Sequence, residues 1–268
     1  LPALSIESMK TDTLKKIALL PLLLSGLCMA AVPQQAQSRK PALDQPAGTP
    51  AMPSAAPQRV LAVGDSLMGG VAQMLAWRIK RDGRRELQLL DRHKLSSGLV
   101  NRKFYDWPAQ LERLLAEHKP ATVLIMLGGN DAGMNIRDNG RTLSFGGDAW
   151  QDAYRQRVSA MIDLAKSRGA RVVWLGLPPM EKADYNAQIQ LQNRVYAQAA
   201  REAGIPYIDS ASLLGDDKGG YVATLSEKGK TVNLRAKDGV HLAPRGGDIL
   251  ARAALAKLPP EQVAAVSP

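Results

Sequence analysis

The chain has 268 residues, of which 45% are hydrophobic and 22% charged, enough to bury a core and too apolar for a disordered polymer. Lys and Arg number 35 against 25 Asp and Glu, and the formal charge of +10 favours anionic neighbours without selecting one; the plain alternative is a solvated basic surface. Nucleic acid is disfavoured as a partner, because the basic residues are dispersed and aromatics make up only 4%.

In residues 9–30, MKTDTLKKIALLPLLLSGLCMA, Lys10, Lys15 and Lys16 precede an apolar run from Ile17 to Leu24, and small residues follow around Ala30 and Ala31. That order of charge, apolar run and small residues reads as a secretory signal peptide, so residues 1–30 are expected to be a leader with upstream residues and the protein periplasmic or secreted. The run falls short of the roughly 20 residues a spanning helix needs, and Pro21 interrupts it, so no permanent membrane span is expected. The only cysteine, Cys28, lies inside the leader. Cleavage would leave no thiol, which excludes thiol catalysis and cysteine-ligated zinc. A lipid-modified Cys28 is the alternative, though Leu27 is bulky where lipoprotein signals want a small residue. Residues 31–58 carry prolines at 33, 41, 46, 50, 53 and 57 with almost no large apolar side chains, and read as a flexible linker. Residues 59–268 are then one domain of ordinary size.

Within that domain short apolar runs alternate with amphipathic ones. RVLAVGDS predicts a buried strand, MGGVAQMLAWRIKR a helix, ELQLLDR a strand, WPAQLERLLAEHK a helix and ATVLIMLGGND a strand. WQDAYRQRVSAMIDLAKSRG, RVVWLGLP, NAQIQLQNRVYAQAAREAG and IPYIDS continue the alternation, and APRGGDILARAALAKL closes it as a helix. Such alternation implies an α/β class, a three-layer α/β/α domain on a mainly parallel sheet. Two stretches break the rhythm: Ala132 to Asp148, and Leu214 to Asp238, where a small hairpin fits around YVATL and TVNLR. Both are expected to follow strands, on the edge where open α/β sheets bind ligands.

The first strand ends in Gly64-Asp65-Ser66, with a helix expected at once. A serine at that junction holds its hydroxyl at the carboxyl edge of the sheet, near a helix N-terminus that stabilises negative charge. The competing reading is a plain helix N-cap. A serine hydroxyl needs a base, and the histidines are His93, His118 and His241. His118 sits near a helix end, where a cation favours the dipole, and His93 lies among Arg92 and Lys94; both read as structural or surface residues. His241 stands in Asp238-Gly239-Val240-His241, where a carboxylate three residues before an imidazole can reach Nδ1 while Nε2 faces the serine. Gly128-Gly129-Asn130-Asp131, after TVLIML, offers an amide to a tetrahedral oxyanion, or else an Asx turn. Gly98, in Ser96-Ser97-Gly98, offers a backbone N–H to the same hole.

Taken together, Ser66, Gly98, Asn130 and Asp238 with His241 occur in the order and loop positions of the SGNH (GDSL-type) hydrolases, and the chain resembles that superfamily over roughly residues 59–258. The text DRHKLSSGLVNRKFYDWP and WLGLPPM resembles a periplasmic branch of largely unknown function. The resemblance implies a flavodoxin-like SGNH fold. It makes Ser66 the nucleophile, His241 the general base and acid, Asp238 its orienter, and the Ser66 N–H, Gly98 N–H and Asn130 amide the oxyanion hole. It implies an esterase removing O-acetyl or other short acyl groups from a cell-wall or extracellular polysaccharide. The alternatives are an O-acetyltransferase with the same residues, or a non-catalytic accessory protein of an exopolysaccharide system such as cellulose synthesis. Partners are accordingly an acetylated anionic or neutral glycan, with polysaccharide synthase or acyltransferase subunits as further candidates.

Asp65, Asp131, Arg137, Arg141, Phe145 and Trp107 are the candidate substrate contacts: the arginines with Phe145 suit sugar rings, and Trp107 either lines the groove or staples a helix start. No cofactor or metal is expected, since three scattered histidines without thiols make a poor zinc site. No G-x-S-x-G elbow occurs, and Gly229-Lys230-Thr231 has Thr224 where a phosphate loop has its first glycine.

Overall fold

A computed structural model of the chain describes residues 56–259. The leader, and the linker up to residue 55, lie outside the described residues. In chain order the elements are β1 (Gln58–Gly64), α1 (Ser66–Arg81), β2 (Leu87–Asp91), α2 (Trp107–His118), β3 (Thr122–Met126), β4 (Ile136–Asp138), β5 (Arg141–Leu143), α3 (Asp148–Ser167), β6 (Arg171–Leu175), α4 (Ala183–Ala203), β7 (Tyr207–Ile208), α5 (Ser210–Leu214), β8 (Thr224–Glu227), β9 (Lys230–Asn233) and α6 (Pro244–Leu255).

Five of the strands form a parallel sheet in the order β2-β1-β3-β6-β7. Every residue of β3 is buried, as are Val60 to Gly64 of β1, which is why both read as unbroken apolar runs rather than as alternating ones. Helix α1 packs on α6, while α3 packs on both α2 and α4, giving the outer layers of a three-layer α/β/α domain. Because β1 leads out to β2 on one side and the chain returns to β3 on the other, the order reverses between β1 and β3. Open sheets bind ligands at the carboxyl ends of such a pair. No helix among the described residues is long and apolar enough to cross a membrane.

The layers are also tied by charge. Arg78 of α1 pairs with Asp248 of α6, both nearly buried, and Arg245 joins Asp248 at 2.8 Å and also bonds Glu227 of β8. Under the carboxyl edge the core is aromatic: Trp150 stacks on Tyr154 at 4.6 Å, and Tyr196 lies between Tyr154 and Trp174.

Both irregular stretches contain hairpins, β4–β5 and β8–β9. The second was expected to follow a strand directly, but α5 intervenes: Asp209 caps it, accepting from Ala211 and Ser212 N–H groups. Five residues are too short for helical periodicity to register in the sequence.

Candidate active site

The loop after β1 is set by close packing. A Cβ on Gly64 would stand 1.8 Å from the Met126 carbonyl oxygen, so only glycine lets β1 and β3 converge here. Asp65 then caps α1, its Oδ1 accepting from Leu67 N–H at 3.0 Å, and Ser66 is the first helical residue. The capping task that competes for Ser66 thus falls to its neighbour, and the hydroxyl stays available. Its Oγ lies 2.8 Å from Nε2 of His241, whose Nδ1 is 2.6 Å from Oδ2 of Asp238. A proton on Nδ1 held by the carboxylate leaves Nε2 as the acceptor for the serine proton.

The acid–base turn is built locally. Asp238 Oδ1 accepts the N–H groups of Val240 and His241, each at 2.9 Å, so the carboxylate that meets the imidazole also shapes the backbone carrying it. The hydrogen bond from the His241 ring, helped by those N–H groups, holds the Asp238 carboxyl down at about 2. The pair is open to solvent, with 45% of the His241 side chain and 49% of the Asp238 side chain exposed.

Asn130 sits in a 3₁₀ turn, Gly129–Asp131, and its Nδ2 donates to Ser97 O at 3.0 Å. That bond brings the Ser96–Gly98 loop and the loop after β3 together at one edge of a cleft of about 280 Å³. The cleft is lined by Ser66, Leu67, Leu95, Ser96, Gly129, Asn130, Tyr185, Val240 and His241, with Asp65 at its floor.

Of the expected substrate contacts, all but Asp65 lie outside the cleft lining. Asp65 lines the cleft floor but is only 1% exposed, and its other oxygen accepts the N–H groups of Gly128 and Gly129, both at 3.0 Å, so its carboxylate braces the loops of the site from below. Burial pushes its carboxyl up to about 6 against those donors. Asp131, equally buried, does not line the cleft: its oxygens take Leu99 N–H, Val100 N–H and the Tyr154 hydroxyl. Burial raises its carboxyl too. Trp107 is fully buried, and its indole N–H donates to Ser97 Oγ at 2.9 Å, so it props the loop and does not line the groove. Arg137 and Arg141 are exposed on the β4–β5 hairpin, and Phe145 packs on Trp150 at 4.5 Å; none of the three lines the cleft. The polarity of the two arginines marked a surface hairpin whose side of the fold the sequence could not reveal. His93 bonds Asp91 through Nδ1 at 2.8 Å, and His118 lies near Arg92 and Glu117, apart from the cleft lining as expected.

Tyr185 was not anticipated. It reaches the cleft from the first turn of α4, donates to Gly129 O at 2.9 Å, and is pushed up to about 12 by burial. A tyrosine opening a helix after the fourth parallel strand was the available signal.

The fold occurs in solved structures. A GDSL-like lipase from Bacteroides thetaiotaomicron superposes with a TM-score of 0.52 at 20% identity, covering 74% of this chain and 86% of that one. An acetyl xylan esterase from Geobacillus stearothermophilus gives 0.55 at 19%, covering 75% and 94%. A hydrolase from the metagenome of Lake Arreo gives 0.56 at 18%, covering 76% and 95%. Likeness at this identity establishes a shared fold, that of the GDSL-type proteins the motifs resemble. No curated protein matches the sequence. Residues 59–257, which hold all the residues of the Ser66 cleft, match the family described as protein of unknown function DUF459, and the chain belongs to that family.

Proposed function

We propose that the protein is an exported serine esterase that removes acetyl or similarly short acyl groups from a cell-wall or extracellular polysaccharide. The observation that carries this reading is the unbroken relay from Ser66 Oγ through His241 to Asp238, at 2.8 and 2.6 Å. Ser66 Oγ attacks the ester carbonyl as its proton passes to His241 Nε2, and Asp238 steadies the imidazolium. The carbonyl oxygen, now an oxyanion, is received by the Ser66 N–H at the start of α1, the Gly98 N–H and the Asn130 amide. As the tetrahedral species collapses, His241 returns the proton to the leaving sugar oxygen. Water then repeats the cycle on the acyl-serine, and the acid is released.

The small cleft supports a short acyl group, and an acetyl xylan esterase with the same fold supports a glycan acetyl ester as the class to try first. The leader read in residues 9–30 supports export.

The test is acetate release from p-nitrophenyl acetate and from acetylated xylan by the wild-type protein and Ser66→Ala. Wild-type turnover that falls at least about 10³-fold in a folded variant is expected. Equal turnover in both, or none in the wild type, overturns the reading.

A further inference from the structure

The irregular excursion between α5 and α6 supplies a side chain that the relay above leaves unused. Arg235, just after β9, is only 4% exposed, and among the described residues no carboxylate pairs with it. The contrast is Arg78, comparably buried but neutralised by Asp248. Burying an uncompensated cation is costly, and an apolar chain of similar volume would fill the space without that cost. What the guanidinium adds is a fork of directed donors. Nη1 donates to Pro179 O, in the loop after β6. Nη2 donates to Val240 O, and Nε to His241 O at 3.4 Å. The ring of Tyr221 covers the guanidinium at 5.0 Å, and its electron-rich face offsets part of the cost of burying the cation.

The Asp238–His241 bond and the two N–H bonds to Asp238 lie within a single turn, so they preserve the pair whatever the turn does as a body. The distance from His241 to Ser66 depends on where that turn rests. Arg235 binds the carbonyls of Val240 and His241, on either side of the His241 α-carbon, and ties them to Pro179 O. The Glu181 N–H to Gly239 O bond, at 3.1 Å, is a second and weaker tie between the same two loops.

We propose that Arg235 is a positioning residue, which locks the Asp238–His241 turn onto the loop after β6 and so sets the alignment of His241 with Ser66. The inference rests on the serine-esterase reading above. A misplacement of about 1 Å in a catalytic group costs on the order of 10²-fold in rate. The lysine ammonium is a point charge that can hold one loop's carbonyl but cannot present the fork. Arg235→Lys is therefore expected to lower kcat about tenfold and Arg235→Met about 100-fold, with KM within about twofold of wild type.

The experiment combines ester turnover with labelling of Ser66 by a fluorophosphonate, whose end-point counts competent sites and whose rate reports the alignment of serine and base. Slower labelling to the same end-point, graded from lysine to methionine, supports the proposal. An end-point that falls while the rate constant holds shows a role in folding alone and overturns it, as does wild-type kcat in both variants. Should Arg235→Met fail to fold, Arg235→Lys against wild type decides by the same criteria. A wild-type protein that is neither labelled nor active removes the esterase reading, and the positioning role with it.

Discussion

Replacing Gly98 with alanine tests how the oxyanion loops are held. An added Cβ would stand 2.1 Å from Asp131 Oδ1, 2.6 Å from Cγ and 2.8 Å from Oδ2, so either the loop or the carboxylate must move by about 1 Å. The carboxylate has little freedom, since it already accepts Leu99 N–H at 2.7 Å, Val100 N–H at 2.9 Å and the Tyr154 hydroxyl at 2.8 Å. Overpacking a tight site costs about 1–3 kcal/mol, and disturbing a hydrogen bond to a buried charge about 1.5–3 kcal/mol. A loss of about 3 kcal/mol or more follows, equivalent to roughly 6–12 °C in Tm for a domain of this size. Two proposed oxyanion donors move together, the Gly98 N–H with its loop and Asn130 through its bond to Ser97 O. Turnover of p-nitrophenyl acetate should fall by about 10² or more, with KM little changed. Differential scanning fluorimetry and steady-state kinetics on Gly98→Ala measure both quantities. A Tm within about 2 °C of wild type together with kcat within about twofold would show that Asp131 does not hold the Gly98 loop in place.

Asn130→Ala should lower kcat by about 10²–10³ while lowering Tm by only about 2–4 °C, since one part-buried bond to Ser97 O is lost; a variant with full turnover removes the amide from the oxyanion hole. The carboxyl of Asp65 is raised from 3.8 to about 6, chiefly by burial, so between those values the folded state binds the extra proton. Stability from this group is fully present below about pH 4 and is lost as pH rises through about 6, by up to about 3 kcal/mol. Urea unfolding of wild type beside Asp65→Asn should show the wild-type advantage growing as pH falls from 7 to 4, and a difference that shrinks instead contradicts the sign. Asp248→Ala takes from Arg78 its buried partner between α1 and α6, leaving only Asp82 at 3.8 Å, and should cost about 2 kcal/mol or more, read as a lower urea midpoint; an unchanged midpoint would show the pair contributes nothing.

The sequence carried the layered α/β class because unbroken apolar runs such as TVLIM and amphipathic runs such as WQDAYRQRVSAMIDLAKS differ in period and length, and both are local properties. Ser66, Asn130 and the Asp238–His241 pair were legible for a related reason. Each stands where a strand ends or just ahead of a helix, and the Asp238–His241 bond spans three residues within one turn. The roles of Asp65, Asp131 and Trp107 were not legible, because polar or aromatic residues beside a motif look alike whether they face substrate or brace a loop from below. Only the fold shows that Asp65 is taken up by Gly128 and Gly129, Asp131 by Leu99 and Val100, and Trp107 by Ser97. The same holds for Arg235, whose partner Pro179 lies 56 residues away. Capping, periodicity and turn chemistry act over a few residues, so the longer helices and strands and the side chains at their ends could be read from the chain alone, while the short α5 and the β4–β5 hairpin could not. The tertiary structure decided which of those side chains converge on Ser66 and which carry the loops that do. Burial and long-range hydrogen bonding exist only once the layers have closed.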